Sequence, residues 1–306
     1  MEILSPAGSF SALRAAVFAG ADAVYFGAET FNARENASNF SESEISEAVL
    51  FCRERGVACH AVLNVLIKDK EFADVEKIVG MFVRAGADAF IVQDLALAEY
   101  IIKNTNIPVH ASTQLTVHSL DGATELFERG FKRIVLSREL SKDDISHIVC
   151  NLPDGAETEV FVHGALCMCY SGQCYMSSVI GKRSGNRGLC AQPCRLPYRE
   201  GYTLSLKDLS LLRYVKELEN IGVTSLKIEG RMKSPEYVYA VTKEYAAAKS
   251  GIPFFEENEE KLASVFSRNG FTQGYYEDRV GKEMFGTKSE RSEKITFEEK
   301  ETKRFG

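Results

Sequence analysis

A helical stretch that stops at glycine, followed within a few residues by a short apolar strand, recurs along this chain. It is seen in AAVFAGADAVYFGA at Gly20, CRERGVACHAVLN at Gly56, FVRAGADAFIVQD at Gly86, LFERGFKRIVLS at Gly130 and LENIGVTSLKIEG at Gly222. Glycine just past a helix is the expected left-handed cap. Helices alternating with apolar strands imply parallel βαβ units. The pattern predicts strands at Ile3–Pro6, Ala23–Gly27, Ala58–Asn64, Ala89–Gln93, Val109–Gln114, Arg133–Ser137, Glu157–Gly164 and Ser225–Gly230. Eight such strands in 306 residues point to a (β/α)8 TIM-like barrel. A doubly wound open sheet is the runner-up, and no G-x-G-x-x-G follows any strand to support a dinucleotide fold.

The barrel reading covers residues 1–250, including a cysteine-rich loop at 164–199 that leaves the end of the seventh strand. Lys207 and Asp208, in YTLSLKDLS, are expected in an extra strand. Residues 251–286 read as a C-terminal extension, with a short helix over Lys261–Arg268 and a glycine and aromatic loop that closes one barrel end. The tail from Thr287 to Gly306 carries six Lys/Arg and five Glu among few apolar residues, and is expected to be mobile or the stub of a further element.

Sites in such barrels form at the C-terminal strand ends. The polar residues there are Asn64, Gln93, Asp94, Gln114, His163, Glu229 and Arg231, with Arg34 in the loop after the second strand. Each alone reads equally well as a cap, a turn or a solvated charge; it is the shared rim that makes them candidates. We take His163, Glu229, Asn64 and Gln114 as candidates for catalysis, and Arg34 and Arg231 for substrate binding.

The segment Gly164 to Arg199 holds five of the eight cysteines, Cys167, Cys169, Cys174, Cys190 and Cys194, and no acidic residue. Lys182, Arg183, Arg187, Arg195 and Arg199 lie in the same window, although the whole chain has a net charge of -6. Thiolates seek a soft metal or a partner sulfur, and surplus cations attract an anion. Lys182, Arg183, Arg187 and Arg195 are therefore candidate anion ligands, and Tyr170, Tyr175 and Tyr198 could stack on a base or simply pack. The chain's overall acidity argues against broad nucleic-acid binding, so any such contact is expected on this face.

The N-terminus MEILSPAGSF has no basic region followed by an apolar run, and no stretch has the length of a membrane span. The expected location is the cytoplasm, with no membrane partner, where structural disulfides are rare. The regular quartet Cys167-x6-Cys174-x15-Cys190-x3-Cys194 has one tight pair where zinc usually takes two. A glycine-rich loop could wrap a larger [4Fe–4S] cluster. Zinc and an unliganded redox set stay open on spacing alone. Cys169 reads as a small packing residue, with an extra ligand or a reactive thiol as alternatives. Cys52, Cys59 and Cys150 read as buried packing residues. A protease would need a hydrolytic constellation, and neither H-E-x-x-H nor G-x-S-x-G occurs. A pairing of His163 with Cys167 or Cys169 remains conceivable.

The segments TEVFVHGALCMCYSGQCYMSS and GNRGLCAQPCR, with SPAGS, GADAVYFG, SLKIEGRMKSPEYV and SRNGFTQGYY, closely resemble the landmarks of peptidase family U32, the collagenase-like peptidases. The resemblance runs over most of residues 1–285. It implies a [4Fe–4S] cluster on Cys167, Cys174, Cys190 and Cys194. It also implies oxygen-independent hydroxylation of RNA or of a quinone, or the proteolysis in the family's name. The tRNA-directed members use prephenate to make 5-hydroxyuridine at the wobble position. By this resemblance the chain is expected to act on tRNA with prephenate, a small dicarboxylate, as co-substrate, and a paired family-member subunit is a candidate partner; a non-catalytic cluster-bearing subunit is a further alternative. Cys169 stands where a non-cysteine is usual.

Overall fold

The computed structural model describes residues 1–34 and 39–286. The charged tail from Thr287 onward lies outside the described residues. Eight strands run parallel and close on themselves: β1 (Glu2–Pro6), β2 (Ala23–Phe26), β3 (Ala58–Leu63), β4 (Ala89–Val92), β5 (Val109–Ala111), β6 (Arg133–Val135), β7 (Glu157–Ala165) and β9 (Ser225–Ile228). Each pairs with its neighbour in that order, and β9 pairs with both β7 and β1. The open-sheet alternative is thereby excluded. Two short strands stand outside the barrel: β8 (Asp208–Ser210), antiparallel to the end of β7, and β10 (Phe271–Thr272), parallel to β8. The expected extra strand at Asp208 is thus present.

Helices α1 (Phe10–Phe18), α2 (Glu42–Arg53), α3 (Phe72–Ala85), α4 (Leu95–Asn104), α5 (Leu120–Glu128), α6 (Lys142–Asn151), α8 (Val215–Ile221) and α9 (Pro235–Lys249) surround the strands. The short α7 (Met176–Gly181) belongs to the cysteine segment. Polar caps fix where several begin. Ser9, Asp94, Ser119, Ser141 and Ser234 each accept a backbone N–H from the first turn of the helix that follows, satisfying donors that a helix cannot pair itself. The C-terminal helix α10 covers Glu256–Val265 rather than the expected Lys261–Arg268. Its acidic first turn, EENEE, suits a helix N-terminus.

Strand alternation separates two cores. Ile3, Val24, Phe26, Leu63, Phe90 and Val92 face the helices in the large outer core, while Leu4, Ala23, Tyr25, Val62 and Ile91 pack inside the barrel. Deeper inside, charges replace carbon. Arg133 on β6 reaches Glu2 at 2.6 Å, Glu157 at 2.8 Å and Glu159 at 3.4 Å, and Lys227 on β9 reaches Glu159 at 2.6 Å. Lys132, 3.6 Å from Glu157, brings the network to three cations and three carboxylates, and removing one member strands the rest in low dielectric.

Candidate active site at the barrel mouth

The C-terminal strand ends carry an electrostatic cluster centred on Glu229, just past β9. Arg34 Nη2 lies 2.9 Å from its carboxylate and Arg138 Nη2 3.7 Å away. Burial alone would raise the Glu229 pKa, but Arg34, Arg138 and Arg231 together hold it down at about 2. Arg231 is buried, which lowers its pKa to about 10; its Nη1 donates to Asn32 Oδ1 at 3.0 Å. Three guanidiniums face the Glu229 carboxylate and, with Glu139 also in the field of Arg138, leave one positive charge in excess. Asn64 stands on the neighbouring rim. Its Oδ1 accepts the Ala33 N–H at 2.9 Å, and its Nδ2 donates to Ser112 Oγ at 3.3 Å. Asn64 therefore positions the loop that carries Arg34.

Backbone close approach explains the opening SPAGS motif. A Cβ on Gly8 would stand 1.7 Å from the Arg231 carbonyl oxygen, so the loop after β1 can lie against the Arg231 backbone only with glycine there. Gln114 was expected at a strand end. It sits instead in a tight turn over Thr113–Leu115, because Ser112 Oγ accepts the Gln114 N–H and ends β5 at Ala111.

The cysteine segment leaves β7 and is fastened to three rim loops. Gly172, at φ +78°, comes so close to the loop after β5 that a Cβ would be 2.4 Å from the Gln114 carbonyl oxygen. Thr116 Oγ1 donates to the Ser171 carbonyl at 2.7 Å, and Gln173 Nε2 donates to Thr116 Oγ1 at 2.8 Å. From the loop after β6, Glu139 Oε1 accepts the Ser171 N–H and hydroxyl, both at 3.1 Å, and Arg138 Nη1 donates to the Ala165 carbonyl at 2.9 Å. In the loop after β3, Glu71 accepts both Nη groups of Arg187, at 2.6 and 2.9 Å. The segment therefore lies over the mouth.

These contacts divide the basic residues. Arg187 is neutralised by Glu71. Arg195 is spent as a strut: its guanidinium donates to the carbonyls of Leu206, at 2.7 Å, and Leu166, drawing the two ends of the segment together. Lys182 and Arg183 have no ion-pair partner among the described residues; Arg183 Nε donates to the Leu189 carbonyl at 3.0 Å. An anion site built jointly on Arg183, Arg187 and Arg195 is not what the structure assembles. Tyr170 is exposed.

Cys167, Cys174, Cys190 and Cys194 share one locality. Burial raises the Cys194 thiol pKa; the adjacent Arg195 opposes this, while the charges of Cys167, Cys190 and Cys174 add to the rise. Cys190 Sγ accepts the Gln192 N–H at 3.4 Å, the kind of bond that stabilises a thiolate ligand. Among the described residues no three Cys, His, Asp or Glu side chains converge as a metal site. As a donor set the locality nonetheless suits a thiolate-held group, with three thiols in electrostatic reach of Cys194 and no competing carboxylate in the segment. Cys169 lies beside Cys174, half-buried, with its thiol pKa raised first by burial. Cys52 and Cys59 are buried, as expected, but Cys150 is exposed near the end of α6.

His163 requires a correction. Period-two alternation puts it on the inner face with Glu159 and Phe161, but β7 slips its register between Phe161 and His163. That bulge turns the ring outward. It packs against Phe271 and against Tyr237 and Tyr245 of α9, with Nδ1 3.3 Å from the Tyr245 hydroxyl. Burial drops its pKa to about 3. His163 is a neutral core residue facing away from the mouth, so it is not a partner for the thiols. The rim residues that sequence reasoning missed are Arg138 and Glu139, in VLSREL directly after β6. Their position one loop from a barrel strand was the available signal. A separate depression of about 450 Å³, lined by His60, His110, Lys132 and Arg133, opens at the opposite, N-terminal end of the strands.

Comparison with known proteins places this architecture. The model for peptidase family U32 matches residues 8–286. The chain is 41% identical over 256 residues to the 23S rRNA 5-hydroxycytidine C2501 synthase of Escherichia coli, covering 80% of this chain and 38% of that protein. It is 36% identical to a collagenase of Porphyromonas gingivalis, over 90% of this chain and 73% of that one. It is 32% identical to tRNA hydroxylation protein P1 of Bacillus subtilis, over 97% and 75%. The chain thus spans well under half the length of the rRNA synthase and about three quarters of the other two. The solved structure of the U32 peptidase Mk0906 has the same fold, with a TM-score of 0.51 at 14% identity, covering 75% of this chain and 93% of that one. This chain belongs to peptidase family U32.

Proposed function

We propose that this chain is an RNA-modifying enzyme that hydroxylates a pyrimidine, with the wobble uridine of tRNA as its substrate. The observation that carries the reading is the cationic mouth roofed by a cysteine segment that contains no carboxylate. A hydroxylation factor has a use for both features. The likeness to an rRNA 5-hydroxycytidine synthase and to a tRNA hydroxylation protein supports the reaction class. The likeness to a collagenase keeps proteolysis as the competing reading. Against it, His163 is turned away from the thiols, and no other imidazole lies in the segment.

In this reading Cys167, Cys174, Cys190 and Cys194 hold a [4Fe–4S] cluster. When bound, the cluster supplies the electron-handling centre that hydroxylation without oxygen needs. The protein's own residues do the rest. Arg34, Arg138 and Arg231 outnumber Glu229 and offer their excess charge to a dicarboxylate such as prephenate, for which guanidinium forks are well suited. Asn64 and Asn32 hold Arg34 and Arg231 in place, and the Ala165 carbonyl holds Arg138. Gln114 and Gly172 seat the cysteine segment over them and limit water.

The test is nucleoside mass spectrometry of RNA from a strain lacking the gene, compared with strains lacking any paired family member. Loss of 5-hydroxyuridine from tRNA is expected, restored by the intact gene and not by an Arg138→Ala copy. Normal hydroxypyrimidines in tRNA and rRNA in every strain, together with gelatin cleavage by the pure protein, would return the chain to the proteases.

A further inference from the structure

The outer surface of the cysteine segment exposes side chains that a free protein surface would ordinarily cover. Tyr170 is 63% exposed, Tyr175 61%, and at the tip of α7 Val179 is 81% and Ile180 66% exposed. This is not the disorder of an unanchored loop, because the underside of the segment is fixed to Gln114, Thr116, Glu139 and Glu71. The tyrosines border one locality. Tyr175 follows Cys174, and the Tyr198 hydroxyl donates to the Pro193 carbonyl at 3.0 Å, beside Cys194.

Charge is segregated in the same way. The carboxylates of Glu71 and Glu139 are bound to the underside, while Lys182 and Arg183, next to the α7 tip, have no ion-pair partner among the described residues. Exposed tyrosines, an aliphatic tip and, among the described residues, cations without an ion-pair partner are therefore gathered on the solvent-exposed part of one anchored segment.

Resting on the RNA-modifying reading above, we propose that this face docks RNA through unpaired nucleotides, with Tyr170, Tyr175 and Tyr198 as stacking platforms and Val179–Ile180 as an apolar wedge. Duplex RNA hides the faces of its bases and offers phosphates, for which cations alone suffice. Exposed rings have a use when bases are splayed, and each base–aromatic stack contributes about 1–3 kcal/mol. Aliphatic side chains entering between bases hold such an unstacked state open. Unopposed cations favour this polyanion over an apolar protein partner.

The test uses the full chain, purified without oxygen, and two fluorescein-labelled RNA probes: a hairpin with an unpaired pyrimidine-rich loop, and a blunt duplex with the same stem sequence. The parent should prefer the hairpin. Tyr170→Ala and Tyr175→Ala should each weaken hairpin binding by about 5- to 150-fold and leave duplex binding unchanged. A Val179→Ser, Ile180→Ser double variant should also weaken the hairpin alone. Lys182→Ala and Arg183→Ala should weaken both probes and flatten the salt dependence. Circular dichroism identifies any variant that has lost its fold, and conservative Tyr→Phe replacements should retain hairpin affinity.

A parent that binds the hairpin with an affinity no tyrosine or wedge variant changes overturns this docking face while leaving RNA modification standing; the apolar tip would then belong to a protein partner. A parent that binds neither RNA overturns both.

Discussion

Arg34, from the loop after β2, meets Glu229, at the end of β9, at 2.9 Å across the barrel mouth. The two are brought together by closure of the barrel, since β9 reaches β2 through β1. The pair joins Arg138 and Arg231 in one cluster, so a change at Glu229 is felt by three cations at once.

Glu229→Gln should therefore do more than remove a hydrogen bond. It leaves Arg34, Arg138 and Arg231 without their counter-charge in a mostly buried site. Breaking a buried pair costs about 3–5 kcal/mol; partial exposure of Arg34 moves the expected loss to about 2–3 kcal/mol, read by urea denaturation at neutral pH. The pH dependence has a defined sign. The folded carboxyl titrates near 2, below an ordinary glutamate at about 4.3. Its contribution is complete above the ordinary value and disappears as pH falls towards 2. The parent and Glu229→Gln should differ most above pH 5 and converge in acid. A constant difference across that range would mean that Glu229 is not the ionised centre of the cluster.

His163 titrates with the same sign over a higher pH window. Its folded pKa is near 3, so the unfolded chain takes up a proton near pH 6.5 while the folded chain does not. Stability from this group is thus lost progressively as pH falls from about 6.5 towards 3. His163→Phe should reduce that acid sensitivity, since phenylalanine suits the ring cluster of Tyr237, Tyr245 and Phe271. RNA modification should persist. Loss of modification in a stable, folded His163→Phe protein would restore a chemical role for the imidazole.

The β7 bulge shows where the sequence stops being legible. His163 was read as a polar rim residue at the end of β7, and no local residue announces that Val162 is the extra one. What fixes it is remote: the Val162 carbonyl accepts the Tyr245 hydroxyl at 2.7 Å and the Leu211 N–H at 2.8 Å. The barrel itself was legible because helix, glycine and apolar strand are local signals repeated many times. Glu229, Arg34 and Arg231 were also readable, as polar residues at strand ends. Arg187 and Arg195 were located but given the wrong partners. Composition showed a segment free of acids, and it could not show that Glu71 reaches in from another loop.

That contact leads to a prediction about the segment's seating. Arg187→Ala and Gly172→Ala should each loosen it by a different route. The first removes two charge-assisted hydrogen bonds, worth about 1.5–3 kcal/mol together at a partly exposed site. The second drives a methyl group into the Gln114 carbonyl in a left-handed backbone conformation. Limited proteolysis should cut both variants faster between Leu166 and Lys207, with the barrel core resistant. Equal cleavage of parent and variants would show that the segment is held by something other than these contacts.

The cysteines allow the sharpest test of the proposed cofactor. Anaerobically purified protein should be brown, with about four irons and four sulfides per chain, as a cubane on four thiolates requires. Alanine at Cys167, Cys174, Cys190 or Cys194 should deplete iron, whereas Cys169→Ala should largely retain it. The distinction rests on position. Cys194 senses the charges of Cys167, Cys190 and Cys174, whereas Cys169 senses those of Cys174 and Cys167. Cys169 thus lies within reach of two proposed ligands, and its replacement tests whether that proximity is enough to make it another. Full iron loading in Cys190→Ala combined with loss in Cys169→Ala would transfer the fourth ligand position to Cys169. Stoichiometric zinc without sulfide in the parent would replace the cluster by a structural metal, and electron transfer would then have to come from another component.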